Sequence, residues 1–150
     1  MKNTTEKKCI IDIETTTFVP WEKGSIVCIG HHDLKNNKTT VYQDEDEKTL
    51  ITTYINNFEK EQYNEIIGFN LNYDIRFILS RLLKYNIRAT HFMHAKPTDL
   101  MAILKGPILE LNYTKPATLN QWSKLVLQKS KLYHNTEIPD LYNVGKIQEI

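Results

Sequence analysis

Two carboxylates interrupt the first strong β-strand pattern of the chain, in the stretch KKCIIDIETTTF from Lys7 to Phe18. The apolar run predicts a buried strand over residues 8–13, followed directly by Glu14. Successive side chains of a strand point to opposite faces, so Asp12 and Glu14 should lie side by side on one face. Two like charges there would repel one another and lose hydration. The pattern therefore predicts a cation between them, and a metal ion is the natural candidate.

Hydrophobic periodicity and turn signals predict an α/β order of elements for the rest of the chain. The predicted elements are strands over 25–34, 39–43 and 64–70, and helices over 46–60 and around 75–83. The turn signal Asn36–Asn37 indicates that the second and third strands form a hairpin. Residues 89–104 are ambiguous, and we interpret them as a short strand, a turn at Pro97 and a helical turn from Asp99. Thr118 is predicted to cap a helix over 119–128.

The length of 150 residues is most simply that of one domain with a real core. The sequence contains no apolar run of membrane-spanning length and no signal-peptide pattern at its N-terminus. We therefore expect a cytoplasmic, intracellular protein with no membrane association. Cys9 and Cys28 lack the spacing of a metal site and are expected to be reduced core residues.

The charge of the chain is unevenly distributed. Residues 1–75 carry 8 Lys or Arg and 13 Asp or Glu, whereas residues 76–150 carry 11 and 5. The net charges are therefore −5 and +6, and the basic half could contact a phosphate backbone. Ordinary scatter of surface charge explains the difference equally well.

A second acidic motif, IIGFNLNYDIRFI, spans Ile66 to Ile78. Its strand ends near Gly68, and Asp74 follows at the start of the next helix. Sites in open α/β sheets cluster at the carboxyl ends of strands, so Asp74 can approach the two carboxylates of the first strand. Three convergent carboxylates offer the hard oxygen ligands that Mg²⁺ or Mn²⁺ prefers.

DIETTT together with GFNLNYD resembles motifs I and II of the DEDD exonucleases. The likeness is greatest to the proofreading 3′–5′ exonuclease domain of family B DNA polymerases and their small stand-alone relatives. DLMAILKG and TLNQWSKLV also resemble later segments of that family. The resemblance implies a ribonuclease H-like α/β fold, with a mixed sheet of three antiparallel and then parallel strands flanked by helices. It further implies hydrolysis of phosphodiester bonds at DNA 3′ ends with two Mg²⁺ or Mn²⁺ ions and a water nucleophile.

The resemblance also assigns roles to six residues: Asp12, Glu14 and Asp74 as catalytic metal ligands, and Thr15, Phe18 and Asn70 as contacts to the terminal nucleotide. Phe18 could stack on the last base, and a core or rim aromatic is the alternative. Asn70 could instead cap the turn that follows it. The other aromatic of this region, Trp21, is predicted to be in the core or partly buried.

The third motif of active members, Tyr-x-x-x-Asp or His-x-x-x-x-Asp on a late helix, is absent in its expected place. His94 and Asp99 have the second spacing, but they follow Asp74 closely and lie across Pro97, so we interpret the match as coincidental. We therefore predict that residues 1–150 form one domain truncated before the third motif, with the C-terminal helix missing. Weak or absent activity in this chain alone would follow.

The expected partners are single-stranded DNA or DNA 3′ ends. No feature of the sequence distinguishes a ribose 2′-hydroxyl from deoxyribose, so RNA is also a possible substrate. A homodimer or a partner protein could cover the position of the missing helix, near Leu125 and Leu132. The alternative function is a catalytically inactive relative that binds nucleic acid or serves as a polymerase-accessory module. His31 and His32 are expected to be incidental, because consecutive strand residues face opposite ways.

Overall fold

A computed structural model of the protein describes residues 6–21, 23–104 and 118–129. Its strands are β1 (Lys8–Thr15), β2 (Ile26–Asp33), β3 (Lys38–Gln43), β4 (Glu65–Gly68) and β5 (Lys96–Asp99). Its helices are α1 (Glu47–Glu61), α2 (Leu71–Tyr85), α3 (Thr90–His94), α4 (Leu100–Leu104) and α5 (Leu119–Leu127). Helices and strands are interspersed after β3, as the sequence predicts for an α/β fold.

The five strands form one mixed sheet in the order β3-β2-β1-β4-β5. Strands β1, β2 and β3 are antiparallel neighbours, whereas β4 pairs parallel to β1 and β5 pairs parallel to β4. The predicted mixed sheet, antiparallel at its start and parallel afterwards, is confirmed. Strand β1 is central, so it lies between the two kinds of pairing and carries both acids of the first motif.

The core lies on one face of this sheet, against α1 and α2. Strand β1 contributes alternate residues to it, Ile11 and Ile13 being buried while Asp12 between them is exposed. The prediction that both faces of β1 are buried is therefore wrong. The sequence hides this alternation, because Ile10 is also apolar although its side chain is 38% exposed on the opposite face.

Capping residues mark the starts of two helices, and the predicted cap at Thr118 is confirmed. The Asp46 carboxylate accepts a hydrogen bond from the Thr49 N–H and begins α1. Thr118 begins α5, where its hydroxyl and the Gln121 side chain form a reciprocal capping box.

Residues 89–104 differ from the sequence interpretation. A short helix, α3, precedes strand β5, and Pro97 lies within that strand rather than in a turn. Strand β5 is at the edge of the sheet, where a residue without an N–H is tolerated. The proline alone therefore did not mark the boundary of the element.

In the described ranges, no helix has both the length and the apolar character that a membrane span requires. Cys9 and Cys28 are buried and carry free thiols, which confirms their interpretation as reduced core residues.

Candidate active site

Asp12 and Glu14 lie on the face of β1 that points away from the core. Asp12 is exposed and Glu14 is half-buried. Asp12 pairs with Gly30 of β2, which has no side chain, and Glu14 pairs with Cys28. The predicted juxtaposition of the two acids on one face is confirmed by this register.

Asp74 is brought to the same strand by the first turn of α2. The residue is only 3% exposed, and its Oδ1 accepts a hydrogen bond from the Ile13 N–H at 3.2 Å. Burial, together with the negative charges of Asp12 and Glu14, raises the pKa of the Asp74 carboxyl to about 8. A short parallel strand, β4, and its tight connection to α2 make this approach possible.

The glycine at the end of β4 explains how closely α2 can follow that strand. A Cβ added to Gly68 would lie 2.8 Å from Leu71 Cδ1 and 3.2 Å from the Ile11 main-chain oxygen. An alanine there would require the Leu71 side chain to shift and would press on the Ile11 main-chain oxygen. Gly68 therefore contributes to placing Asp74 beside β1.

The three acids are close enough for their charges to interact, but they are not arranged as a complete metal site. Among the residues that the structure describes, no group of three or more His, Cys, Asp or Glu side chains is arranged to hold a metal ion. The chemistry of the donors nevertheless fits a hard divalent cation, because all three groups are carboxylates and mutual repulsion raises the pKa of Asp74. Bound Mg²⁺ or Mn²⁺ would relieve that repulsion.

Cys28 is next to this acidic group but contributes no charge to it at neutral pH. Burial raises the pKa of its thiol to about 11, and the neighbouring Glu14 and Asp12 charges act in the same direction. The thiol therefore stays neutral beside the carboxylates.

Thr15 ends β1 and is tied to helix α2. Its hydroxyl lies 2.7 Å from the Tyr73 hydroxyl and donates to the Thr17 main-chain oxygen, also at 2.7 Å. Tyr73 donates to the same Thr17 oxygen at 3.1 Å. These bonds fix the point where the chain leaves the sheet.

Residues 16–25, which we call the aromatic loop, connect β1 to β2 and carry two exposed rings. Phe18 is 71% exposed and Trp21 is 80% exposed, whereas Pro20 between them is buried. The prediction that Trp21 is buried is therefore wrong. Sequence reasoning missed this residue because a loop has no periodicity from which to assign a side chain to a face. The only signal was the spacing of two large aromatics directly after the DIET motif.

Asn70 is exposed and precedes α2 in the left-handed conformation, with φ of 61°. It is the N-cap residue of α2, and its main-chain oxygen accepts the Tyr73 N–H at 2.9 Å, but its side chain makes no capping hydrogen bond. Its main-chain N–H donates to Asp99 Oδ1 at 2.9 Å, and the Met101 N–H donates to the same oxygen. Asp99 thus anchors the loop that presents Asn70, which supports the interpretation of the His94–Asp99 spacing as coincidental.

The two histidines of β2 face opposite ways, as predicted. His31 is buried against the rings of Tyr42, Tyr54 and Tyr63. His32 is half-buried, and its Nδ1 lies 2.8 Å from the Thr39 hydroxyl. The predicted apolar surface near Leu125 and Leu132 falls outside the side chains that the structure describes.

The fold and the acidic strand ends define a class of protein. A family model described as the RNase_H superfamily matches residues 9–129, and the chain belongs to that superfamily. The match supports the DEDD-type exonuclease resemblance drawn from the two motifs.

The chain is similar in sequence to one archaeal protein and in structure to an archaeal DNA polymerase. An uncharacterised protein of Methanocaldococcus jannaschii is 38% identical over 101 residues, which are 66% of this chain and 55% of that protein. The chain is also similar in structure to the family B DNA polymerase of the hyperthermophilic archaeon Pyrobaculum calidifontis, with a TM-score of 0.79 and 14% identity. That similarity covers 96% of this chain and 22% of the polymerase, and it concerns the fold alone. The chain thus spans about half of the relative and about a fifth of the polymerase.

Proposed function

We propose that the protein is a metal-dependent 3′–5′ exonuclease domain that hydrolyses phosphodiester bonds at DNA 3′ ends. The observation that carries this proposal is the position of Asp74. Helix α2 brings its carboxyl to β1, where burial and then the charges of Asp12 and Glu14 raise its pKa to about 8. A folded protein tolerates such repulsion poorly, and function is the common reason for retaining it.

Asp12, Glu14 and Asp74 are the residues that would hold Mg²⁺ or Mn²⁺. The cation would supply the positive charge that activates water and stabilises the leaving oxygen of a phosphodiester. The protein's own contribution is to hold Asp74 against the Ile13 N–H while Asp12 and Glu14 face solvent from β1. The substrate would reach the site past the exposed Asp12 side chain.

The aromatic loop would bind the terminal nucleotides. Phe18 and Trp21 are both exposed and lie directly after the acidic end of β1, so a splayed base can stack on either ring. Each such contact is worth roughly 1–3 kcal/mol and favours single strands of any sequence. Thr15 and Asn70 flank the same site from the ends of β1 and β4 and would contact the sugar and phosphate.

Binding without cleavage is the second candidate function. It is favoured by the two exposed rings, which can stack on a base whether or not a metal ion is held. A polymerase-accessory module would use the loop in the same way and would make no use of the three carboxylates.

A cleavage assay tests the two candidates. The protein is incubated with a 5′-fluorescent single-stranded DNA and Mn²⁺ or Mg²⁺, and the products are separated by length. Stepwise shortening that stops at a 3′-terminal phosphorothioate is expected for a 3′–5′ exonuclease. Asp12→Asn should abolish it, whereas Asp44→Asn, which changes an exposed acid after β3, should not. Cleavage of an RNA of the same sequence, compared with that of the DNA, shows whether the protein prefers ribose or deoxyribose.

The outcomes separate the proposals. No shortening by the wild type, with retained binding of the DNA, would favour the non-catalytic module. Shortening that survives Asp12→Asn would contradict the assigned site. Weak activity of residues 1–150 alone, and a second copy or partner chain that completes the site, stay predictions that the same assay can address when it is combined with light scattering.

A further inference from the structure

A buried arginine of helix α2 holds the main chain of the aromatic loop. Arg81 of α2 is 3% exposed, and its guanidinium donates to the main-chain oxygens of Pro20, at 2.9 Å, and of Gly24. An arginine presents its donors on separate nitrogens of a rigid planar fork, whereas a lysine has a single nitrogen on a flexible stem. One side chain therefore ties together two points of the loop on either side of Trp21.

Glu47, the first residue of α1, balances the charge of Arg81. It is 8% exposed, and its Oε1 lies 2.8 Å from Arg81 Nε. The same oxygen accepts the Ile26 N–H at 2.7 Å, so the carboxylate also fixes the start of β2. Its Oε2 accepts the Tyr85 hydroxyl at 2.5 Å and contacts Lys84 Nζ at 3.3 Å. The pair is thus fully hydrogen-bonded, as a buried pair must be to persist.

The other loop contacts come from the same face of α2. Ser80 Oγ lies 3.2 Å from the Pro20 oxygen and 2.7 Å from the Phe77 oxygen, so its one proton is shared between them, and Tyr73 donates to the Thr17 oxygen. Residues separated by seven and eight positions share one side of a helix, so Tyr73, Ser80 and Arg81 form a row beneath the loop. Asp74 belongs to the first turn of this helix, so the helix that carries a catalytic acid also supports the loop.

The loop is packed too closely to move as a free segment while these contacts persist. A Cβ added to Gly24 would lie 2.0 Å from Thr17 Oγ1, so the part of the loop that contains Thr17 directly contacts the part that contains Gly24. The exposure of Phe18 and Trp21 is therefore the result of a supported backbone, and the rings are presented to solvent in place.

We infer that the buried Glu47–Arg81 pair positions the aromatic loop, holding the rings of Phe18 and Trp21 ready to stack on the bases of a single-stranded nucleic acid. The DNA-binding part of this inference rests on the proposed function. The pair touches no substrate, and it acts through the main-chain oxygens of Pro20 and Gly24. A preorganised loop avoids the entropy of ordering at the moment of binding, so loss of the pair should weaken binding.

The test uses Trp21 as its own reporter. In a Trp122→Phe background, Trp21 is the sole tryptophan of the chain, and time-resolved fluorescence anisotropy measures its nanosecond motion. The double variant Glu47→Gln, Arg81→Gln removes the fork without leaving one buried charge unpaired. We expect it to increase the amplitude of local Trp21 motion by about twofold while the far-ultraviolet circular dichroism stays unchanged.

Two further variants separate positioning from charge. Arg81→Lys keeps a cation beside Glu47 but loses one of the two carbonyl contacts, so Trp21 motion should lie between the values of the wild type and the double variant. Lys84→Gln is the matched control, because Lys84 contacts Glu47 and has no hydrogen bond or ion pair to the described residues of the loop. It should leave Trp21 motion unchanged.

Affinity for a short oligothymidylate in EDTA gives the second readout. Weakening by about tenfold in the double variant, and by less than twofold in Lys84→Gln, is expected from the loss of one stacking contact. Unchanged Trp21 motion in the folded double variant would overturn the inference, as would failure of every Arg81 variant to fold at 10 °C in ~0.1 M salt. Increased motion with no DNA binding by any protein, wild type included, would support loop positioning and contradict the proposed function.

Discussion

The main-chain N–H of Ile13 donates to the Asp74 carboxylate across 3.2 Å, and this bond fixes helix α2 to strand β1 at the acidic site. Ile13 lies between Asp12 and Glu14 in the chain, so the third acid is bound to the backbone between the other two. A buried N–H and a buried carboxyl satisfy one another there. The bond lowers the pKa of Asp74, but burial and the two neighbouring charges outweigh it.

Asp74 should destabilise the metal-free protein increasingly as the pH rises. Its pKa is about 8 in the folded protein and near the ordinary 3.8 in the unfolded chain. The folded state therefore binds more protons between these two values, and the free energy of unfolding falls as the pH rises through that window. Asp74→Asn keeps an oxygen for the Ile13 N–H and removes the charge. In EDTA it should gain at least about 1 kcal/mol over the wild type at pH 8.5 and almost nothing at pH 3.5.

Urea unfolding at several pH values measures this difference. Asp44→Asn serves as the control, because it removes an exposed acid outside the site. A stability difference between Asp74→Asn and wild type that does not vary with pH would contradict the burial and charge of Asp74 as described.

Divalent metal should stabilise the folded protein. A cation that binds only the folded state adds about 1–2 kcal/mol at roughly ten to thirty times its dissociation constant. The melting temperature should therefore rise by several degrees in millimolar Mn²⁺ or Mg²⁺. Asp12→Asn should raise the melting temperature in EDTA, since it relieves repulsion, and should remove most of the metal effect. Differential scanning fluorimetry with matched ionic strength measures both, and no shift in the wild type would mean that the carboxylates do not hold metal.

The exposed rings should govern affinity for single-stranded DNA. Phe18→Ala and Trp21→Ala should each weaken binding of an oligothymidylate by about tenfold, because stacking contributes roughly 1–3 kcal/mol per base. Neither substitution should lower stability by more than about 0.5 kcal/mol, since both side chains are mostly exposed. Leu83→Ala removes an exposed apolar side chain of α2 and is the control. Fluorescence polarisation titrations that give equal affinities for all four proteins would rule out the loop as the binding surface.

His31 should make the protein less stable in acid. Burial lowers its pKa below the ordinary 6.5, so the unfolded chain binds a proton that the folded protein does not. The free energy of unfolding therefore falls as the pH drops below about 6.5, and the loss stops near the folded pKa. His31→Phe keeps a ring against Tyr54 and Tyr63 and removes a buried Nδ1 that has no hydrogen-bond partner among the described residues. Its stability relative to wild type should increase between pH 7 and pH 5, as measured by thermal unfolding.

A His32→Phe variant is the matched control for this acid effect, because His32 faces the other side of β2 and is only half-buried. The same pH-dependent gain in both variants would show that burial of His31 is not its cause.

The sequence by itself determined the order of elements and the two acidic motifs. Period-two and helical spacing are local properties of a chain, so β1, α1 and α2 could be predicted from their own residues. The same alternation placed Asp12 and Glu14 on one face, and the position of Asp74 after β4 predicted its approach to them. The capping residues Asp46 and Thr118 likewise act within one turn of their own helices.

Only the tertiary structure decided the position and exposure of residues that lie outside a periodic hydrophobic pattern. Pro97 lies in a strand because β5 is at the edge of the sheet, and that position depends on the pairing with β4. Trp21 is exposed in a loop whose main-chain oxygens on either side of it are bound by Arg81, far along the chain. The pKa of Asp74 depends on how deeply α2 buries it beside β1. Burial, edge position and long-range hydrogen bonds are properties of packed elements, and no window of neighbouring residues contains them.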